Sequence, residues 1–73
     1  MQLSRRPLSE KDLLALLNWE LTAYEECEGC RFTAIAAEER SAWDARLEGG
    51  AVIGQMIARQ IVGQTRRAFD LAR

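Results

Sequence analysis

Two residues are spaced for chemistry, Cys27 and Cys30, in the stretch Glu25-Glu26-Cys27-Glu28-Gly29-Cys30-Arg31. A Cys-x-x-Cys serves either thiol–disulfide exchange or metal binding. Exchange wants its attacking thiol at a helix N-terminus or beside cations, where the thiolate is stabilised. Here Cys27 follows an apolar helical stretch and so sits at the negative end of the helix dipole. Glu25, Glu26 and Glu28 crowd it, and only Arg31 opposes them. The surroundings therefore favour a protonated thiol over a nucleophile. For zinc the spacing is right, but a structural site needs four ligands. The chain has no histidine and no further cysteine. Cys27 and Cys30 would need carboxylates, or a second cysteine pair from a symmetry-related chain. The plainer reading makes both cysteines small, partly buried apolar residues at a helix end, and no cofactor is expected.

Other catalytic arrangements fall quickly. Without histidine, a Ser-His-Asp or Cys-His set cannot form within one chain. Gly49-Gly50-Ala51-Val52-Ile53-Gly54 offers amides at a helix start but lacks the lysine of a phosphate loop. Glu20 and Glu28 read as residues edging an apolar stripe, reaching solvent or an arginine. The expectation is a protein that is not an enzyme.

The elements that would position these residues are partly legible. Leu8-Ser9-Glu10-Lys11-Asp12-Leu13 has the form of a helix start, with Ser9 as N-cap and Leu8 and Leu13 at the spacing of a hydrophobic staple. The helix is expected from about Glu10 to Glu26, broken by Gly29. Leu13, Leu14, Leu17, Leu21 and Tyr24 fall within roughly 100° of arc as one apolar stripe. Leu16 and Trp19 lie outside it. A last helix is expected from Ala51 to about Leu71, with Gly54, Ile57, Ala58, Ile61, Val62, Thr65, Ala68 and Phe69 on one broad face. Small residues at Gly54 and Ala58 would let a neighbour approach closely. Val52, Ile53 and Met56 add apolar surface on the other side, so the start of this helix is apolar nearly all round.

Residues 31–48 read two ways. Ala36 to Leu47 has helix-forming composition with Gly49 as a C-terminal stop. With a period of two, Trp43, Ala45 and Leu47 alternate with Asp44, Arg46 and Glu48, and Arg31-Phe32-Thr33-Ala34-Ile35 reads as a strand. The second reading makes a hairpin turning near Glu38-Glu39-Arg40. The chain resembles a group of short, uncharacterised bacterial proteins in which an apolar helix is followed by E-C-x-x-C-R-F, here Glu26-Cys27-Glu28-Gly29-Cys30-Arg31-Phe32. That group continues with an acidic turn, Gly-Cys-Asn-Trp, and a Cys-x-Gly before the last helix. The matching stretches here are Arg40-Ser41-Ala42-Trp43 and Leu47-Glu48-Gly49, so Trp43 and Gly49 agree and both later cysteines are missing. The likeness covers residues 13–71 and brings no activity. It implies a strand-turn-strand middle, and missing cysteines of that kind fit a metal site that has decayed. The expected fold is then small α+β, two amphipathic helices flanking a short β-hairpin, with an all-α three-helix bundle as the alternative.

Composition bounds the rest. The chain has 73 residues, 48 % hydrophobic and 29 % charged, with a net charge of −1. That makes one domain, residues 1–73, with residues 1–8 read as an N-terminal extension. A chain this short buries only about 60–65 % of its unfolded surface, so its core is thin. No apolar run reaches membrane-spanning length, and Arg5-Arg6 has no apolar stretch behind it to make a secretory signal. With only two cysteines, a cytoplasmic location is expected. Residues 12–30 carry five acidic and no basic side chains, whereas residues 51–73 carry four arginines against Asp70. Such a division suits antiparallel packing within or between chains and does not suit a nucleic-acid protein. The expected role is a protein–protein interaction or assembly module that pairs with itself, as a homodimer, or with another protein. Trp19, Val52, Ile53, Met56 and Ile57 would form the contact. The competing reading is a small metal- or thiol-dependent protein centred on Cys27 and Cys30.

Overall fold

A computed structural model describes residues 5–72. Its elements are β1 (Arg6–Leu8), α1 (Glu10–Leu21), a 3-10 turn (Glu25–Cys27), β2 (Arg31–Ala37), β3 (Trp43–Glu48), α2 (Val52–Ala68) and β4 (Phe69–Leu71). The fold is α+β, with an antiparallel β2–β3 hairpin between two helices. Residues 31–48 are therefore strand-turn-strand, and the three-helix alternative is overturned.

Helix α1 starts where its cap residues place it. The Ser9 Oγ accepts from the Asp12 amide at 3.1 Å, and the Leu13 amide donates to the Ser9 carbonyl at 2.9 Å. Its end differs from the expected Glu26: the helix stops at Leu21, and an extended Tyr24 separates it from the 3-10 turn. Thr22 Oγ1 donates to the Trp19 carbonyl at 2.6 Å, and the last turn holds no basic residue. Glu25, Glu26 and Glu28 would be set against the negative end of the dipole if the helix continued. Leu13, Leu17 and Leu21 are buried as the stripe requires. Tyr24, expected in that stripe, leaves it with the helix and is 44 % exposed.

The hairpin alternates as its period of two implies. Trp43 and Ala45 face the core, while Asp44 and Arg46 face water. Its register runs from Arg31 opposite Glu48 to Ala37 opposite Trp43, with an irregularity between Phe32 and Ala34. Asn18 on α1 clamps this irregular point: its amide nitrogen donates to the Phe32 carbonyl at 3.0 Å, and its oxygen accepts from the Phe32 amide at 2.8 Å. A backbone pair that the bulge would leave unmatched is thereby satisfied.

Helix α2 ends at Ala68, three residues before the expected Leu71, because Phe69 turns extended. Phe69–Leu71 pairs in parallel with Arg6–Leu8, inside the stretch read as an extension; residues 1–4 of that stretch lie outside the described residues. The Leu71 amide donates to the Arg40 carbonyl at 2.9 Å, and the Trp43 indole donates to the Phe69 carbonyl at 3.0 Å. Strand β4 thus ties the chain's end to both β1 and the hairpin. One core gathers Leu13, Leu17 and Leu21 from α1, Phe32, Trp43 and Ala45 from the hairpin, and Ala58, Ile61 and Val62 from α2. Buried Thr65 is satisfied by donating to Glu20 Oε2 at 3.1 Å.

Candidate functional site

The cysteine turn is built by close backbone packing. Gly29, with φ of +85°, reverses the chain after Cys27, and the Cys30 amide donates to the Cys27 carbonyl at 2.9 Å. The Gly49-Gly50 loop packs on this turn, and a Cβ on Gly50 would run into the Cys30 sulfur. Cys27 is 3 % exposed and its thiol donates to the Gly54 carbonyl at 3.5 Å. Cys30 is half-buried, and both cysteines are free thiols.

Burial pushes the Cys27 thiol up from its ordinary pKa, and neighbouring Cys30 and Glu26 add to the effect. A raised pKa keeps the sulfur protonated, the reverse of what thiol exchange needs. Among the described residues, no group of three His, Cys, Asp or Glu side chains is placed to hold a metal. An open groove of about 670 Å³ runs beside the turn, lined by Asn18, Leu21, Tyr24, Glu25 and Glu28 with the two cysteines. The Asn18 amide in its wall is already engaged with Phe32.

The apolar surface lies elsewhere, on α2 and the end of α1. Val52 is 72 % exposed, Trp19 70 %, Met56 58 % and Ile53 54 %, while Ile57 is half-buried. The opposite face of α2, comprising Gly54, Ala58, Ile61, Val62 and Thr65, is buried. Ile53, Ile57 and Ile61 lie four residues apart along one edge of α2 and are neighbours on the helix surface. Ile61 then borders a notch of about 260 Å³ shared with Trp19, Tyr24 and Gln64. Ile57 is half-buried and Ile61 buried, so the exposed apolar residues form two groups, Val52, Ile53 and Met56 at the start of α2 and Trp19 with Tyr24 at the end of α1. Four of the five residues expected at an interface are thus more than half exposed. Tyr24 belongs with them and was misplaced by sequence reasoning; the acidic run behind it was the signal that its helix would stop.

No protein-family model, no curated protein and no solved structure matches the chain.

Proposed function

We propose that this protein is a non-enzymatic interaction module that associates with itself through the outer face of α2 and the Trp19–Tyr24 end of α1. The observation that carries this reading is the exposure of Val52, Ile53, Met56 and Trp19 in a chain with so thin a core. Single exposed apolar residues are ordinary, whereas Val52, Ile53 and Met56 are neighbours at i, i+3 and i+4 spacing, and a cluster of large ones marks a surface that is covered in use. Full burial of four such side chains is worth roughly 6–12 kcal/mol before costs. Association itself costs about 4–15 kcal/mol, a sum of the same order, so a weak, concentration-dependent dimer is expected rather than an obligate one. The free thiols suit a reducing, cytoplasmic setting.

Sedimentation across the micromolar range tests the proposal, with elemental analysis and a thiol count on the same sample. At least twice the chain mass is expected, weakened by Met56→Glu. A chain that stays at its monomer mass of 8.3 kDa throughout overturns it. Stoichiometric zinc that disappears when Cys27 and Cys30 are replaced would move the function to the cysteine turn.

A further inference from the structure

We propose that Cys27 and Cys30 form a reversible thiol modification site, which a small disulfide without net negative charge oxidises to an intramolecular Cys27–Cys30 bond. The reaction needs neither a second copy nor the outer face of α2, so it stands apart from self-association.

The backbone brings the pair into range. Glu28 has φ −57° and ψ 130°, Gly29 has φ +85°, and the Cys30 amide donates to the Cys27 carbonyl at 2.9 Å. Those are the marks of a type II β-turn with Cys27 first and Cys30 fourth. Such a turn holds its first and fourth Cα atoms within about 7 Å. A disulfide spans about 4.4–6.8 Å between Cα atoms, so closure asks little of the backbone. The turn is also held from outside. A Cβ on Gly49 would strike the Gly29 carbonyl oxygen, and one on Gly50 would strike the Cys30 sulfur. The glycine loop thus lies directly on the turn and against the Cys30 side chain. Within the turn, the two thiols are close enough to interact with each other.

Access divides the roles. Cys27 is 3 % exposed, and its thiol is engaged with the Gly54 carbonyl. Cys30 is half-buried and lines the open groove beside the turn. Cys30 therefore meets the reagent. Its sulfur attacks one sulfur of the small disulfide and breaks that S–S bond, and the first small thiol leaves with the Cys30 proton. Cys27 then attacks the Cys30 sulfur of the mixed disulfide, and the second small thiol leaves with the Cys27 proton. Two cysteine thiols are oxidised and one disulfide is reduced to two thiols. A buried, protonated Cys27 is unsuited to repeated exchange with substrates. A single closure asks only that it meet a sulfur held beside it. Glu25 and Glu28 line the same groove and Glu26 adjoins Cys27, so a disulfide bearing carboxylates is repelled there. Closure also removes the hydrogen that Cys27 donates to the Gly54 carbonyl, so the state of the turn is felt at the start of α2.

Hydroxyethyl disulfide, which is neutral, is the probe. The reduced chain is incubated with it, quenched in acid, alkylated with iodoacetamide and weighed by mass spectrometry. The expected product is a single chain lighter by two hydrogen atoms, with neither cysteine alkylated, and dithiothreitol should return both thiols. Cys27→Ser should halt at a mixed disulfide on Cys30, and Cys30→Ser should react about tenfold more slowly than the wild type or worse. Circular dichroism checks that both variants fold. Glutathione disulfide should close the pair about tenfold more slowly than the neutral probe at low salt, each rate taken relative to that with a free small thiol. The Gln55 amide shares a peptide unit with the Gly54 carbonyl, and its signal in a nitrogen–proton spectrum should move on closure. A wild-type chain that stops at the mixed disulfide, or whose cysteines bond only between chains, overturns the proposal. Equal relative rates for the two disulfides overturn the exclusion of negative charge, and an unmoved Gln55 signal overturns the link to α2.

Discussion

Replacing Gly54 with alanine should be severely destabilising, although the same change is favourable in most helices. Alanine gains about 1 kcal/mol over glycine in a helix interior. Here the added methyl would fall inside the van der Waals envelope of the Glu26 carbonyl oxygen. It would also stand 3.0 Å from the Glu26 carbonyl carbon and 3.1 Å from the Cys27 Cα. All three are backbone atoms of the 3-10 turn, and the turn ends in Cys27, which is part of the core. It cannot swing aside as the tip of a lysine would. Either the turn shifts and draws Cys27 out of its contacts, or α2 backs away from Ala45 and Trp43. Overpacking of this kind costs about 1–3 kcal/mol and sometimes more. The Cys27–Gly54 hydrogen bond is strained in either case. We expect a net loss of about 2 kcal/mol, a large share of the roughly 5 kcal/mol available to so small a domain. That corresponds to a fall in Tm of about 10 °C.

The assay is a thermal melt followed by tryptophan fluorescence, since Trp43 is fully buried and Trp19 is exposed. Gly63→Ala is the internal control, with nothing near its added methyl. At dilutions where the chain is monomeric it should raise stability by about 0.5–1 kcal/mol. The same substitution in the same helix thus has opposite signs at the two positions. A Gly54→Ala protein as stable as the wild type would show that α2 does not lie on the cysteine turn.

Leu17→Ala and Ile61→Ala each remove a buried member of the one core, and each should cost about 2–5 kcal/mol in chemical denaturation. Ser9→Ala removes a single exposed cap and should cost about 1 kcal/mol; equal damage from Ser9→Ala and Leu17→Ala would refute the packing. Asn18→Ala strands the Phe32 amide and carbonyl at the bulge and should cost about 1–3 kcal/mol. The native Cys27 thiol, with its pKa raised by burial, should alkylate far more slowly than Cys30. Because the folded state holds that proton more tightly than the unfolded chain, this group's contribution is intact below the ordinary value of 9.0 and is lost as pH rises beyond it. Stability of the wild type should therefore fall more steeply above pH 9.0 than that of Cys27→Ala.

Much of this arrangement was written in local signals. Ser9 before an apolar period, the Leu13–Leu17–Leu21 stripe and the broad face of the last helix each need only neighbouring residues to be read. The hairpin was ambiguous because Ala36 to Leu47 has helical composition. What settles it as strand is tertiary: Trp43 and Ala45 find a core on one side, and Asn18 holds the bulge at Phe32. The two short strands left no pattern at all. Three residues cannot show a period, and Arg6–Leu8 meets Phe69–Leu71 across the whole chain. The shortened first helix is intermediate. Its acidic tail and Thr22 were visible, but propensity alone does not say which residue stops the helix. At the candidate surface, exposure of Val52, Ile53, Met56 and Trp19 followed from helix geometry, whereas Tyr24 required knowing where that helix ends.

Helix α2 joins these observations, because its own resources are poor. Its N-cap, Ala51, offers no side-chain acceptor, and its first turn has no acidic residue to meet the dipole. Gly54 and Gly63 each weaken it by about 1 kcal/mol. Gln55, reaching back to the Gly49 and Gly50 carbonyls at 3.2 Å, and the Cys27 thiol on the Gly54 carbonyl steady its start. The helix therefore depends on contacts along its length: the 3-10 turn, the core and β4 within the chain, and the second copy on its outer face. If that outer contact is made, folding and association are linked, because the dimer binds only the folded chain. Apparent Tm should then climb with protein concentration across the micromolar range, and the climb should flatten in the Met56→Glu protein. Hydrogen exchange should show where the linkage acts. Amides in the first turns of α2 should gain protection on concentration, while those of β2 and β3, bonded to each other in the hairpin, change only with global stability. A Tm that is the same at every concentration would mean that α2 is held by its own chain alone, and that its exposed isoleucine, valine and methionine serve no second copy.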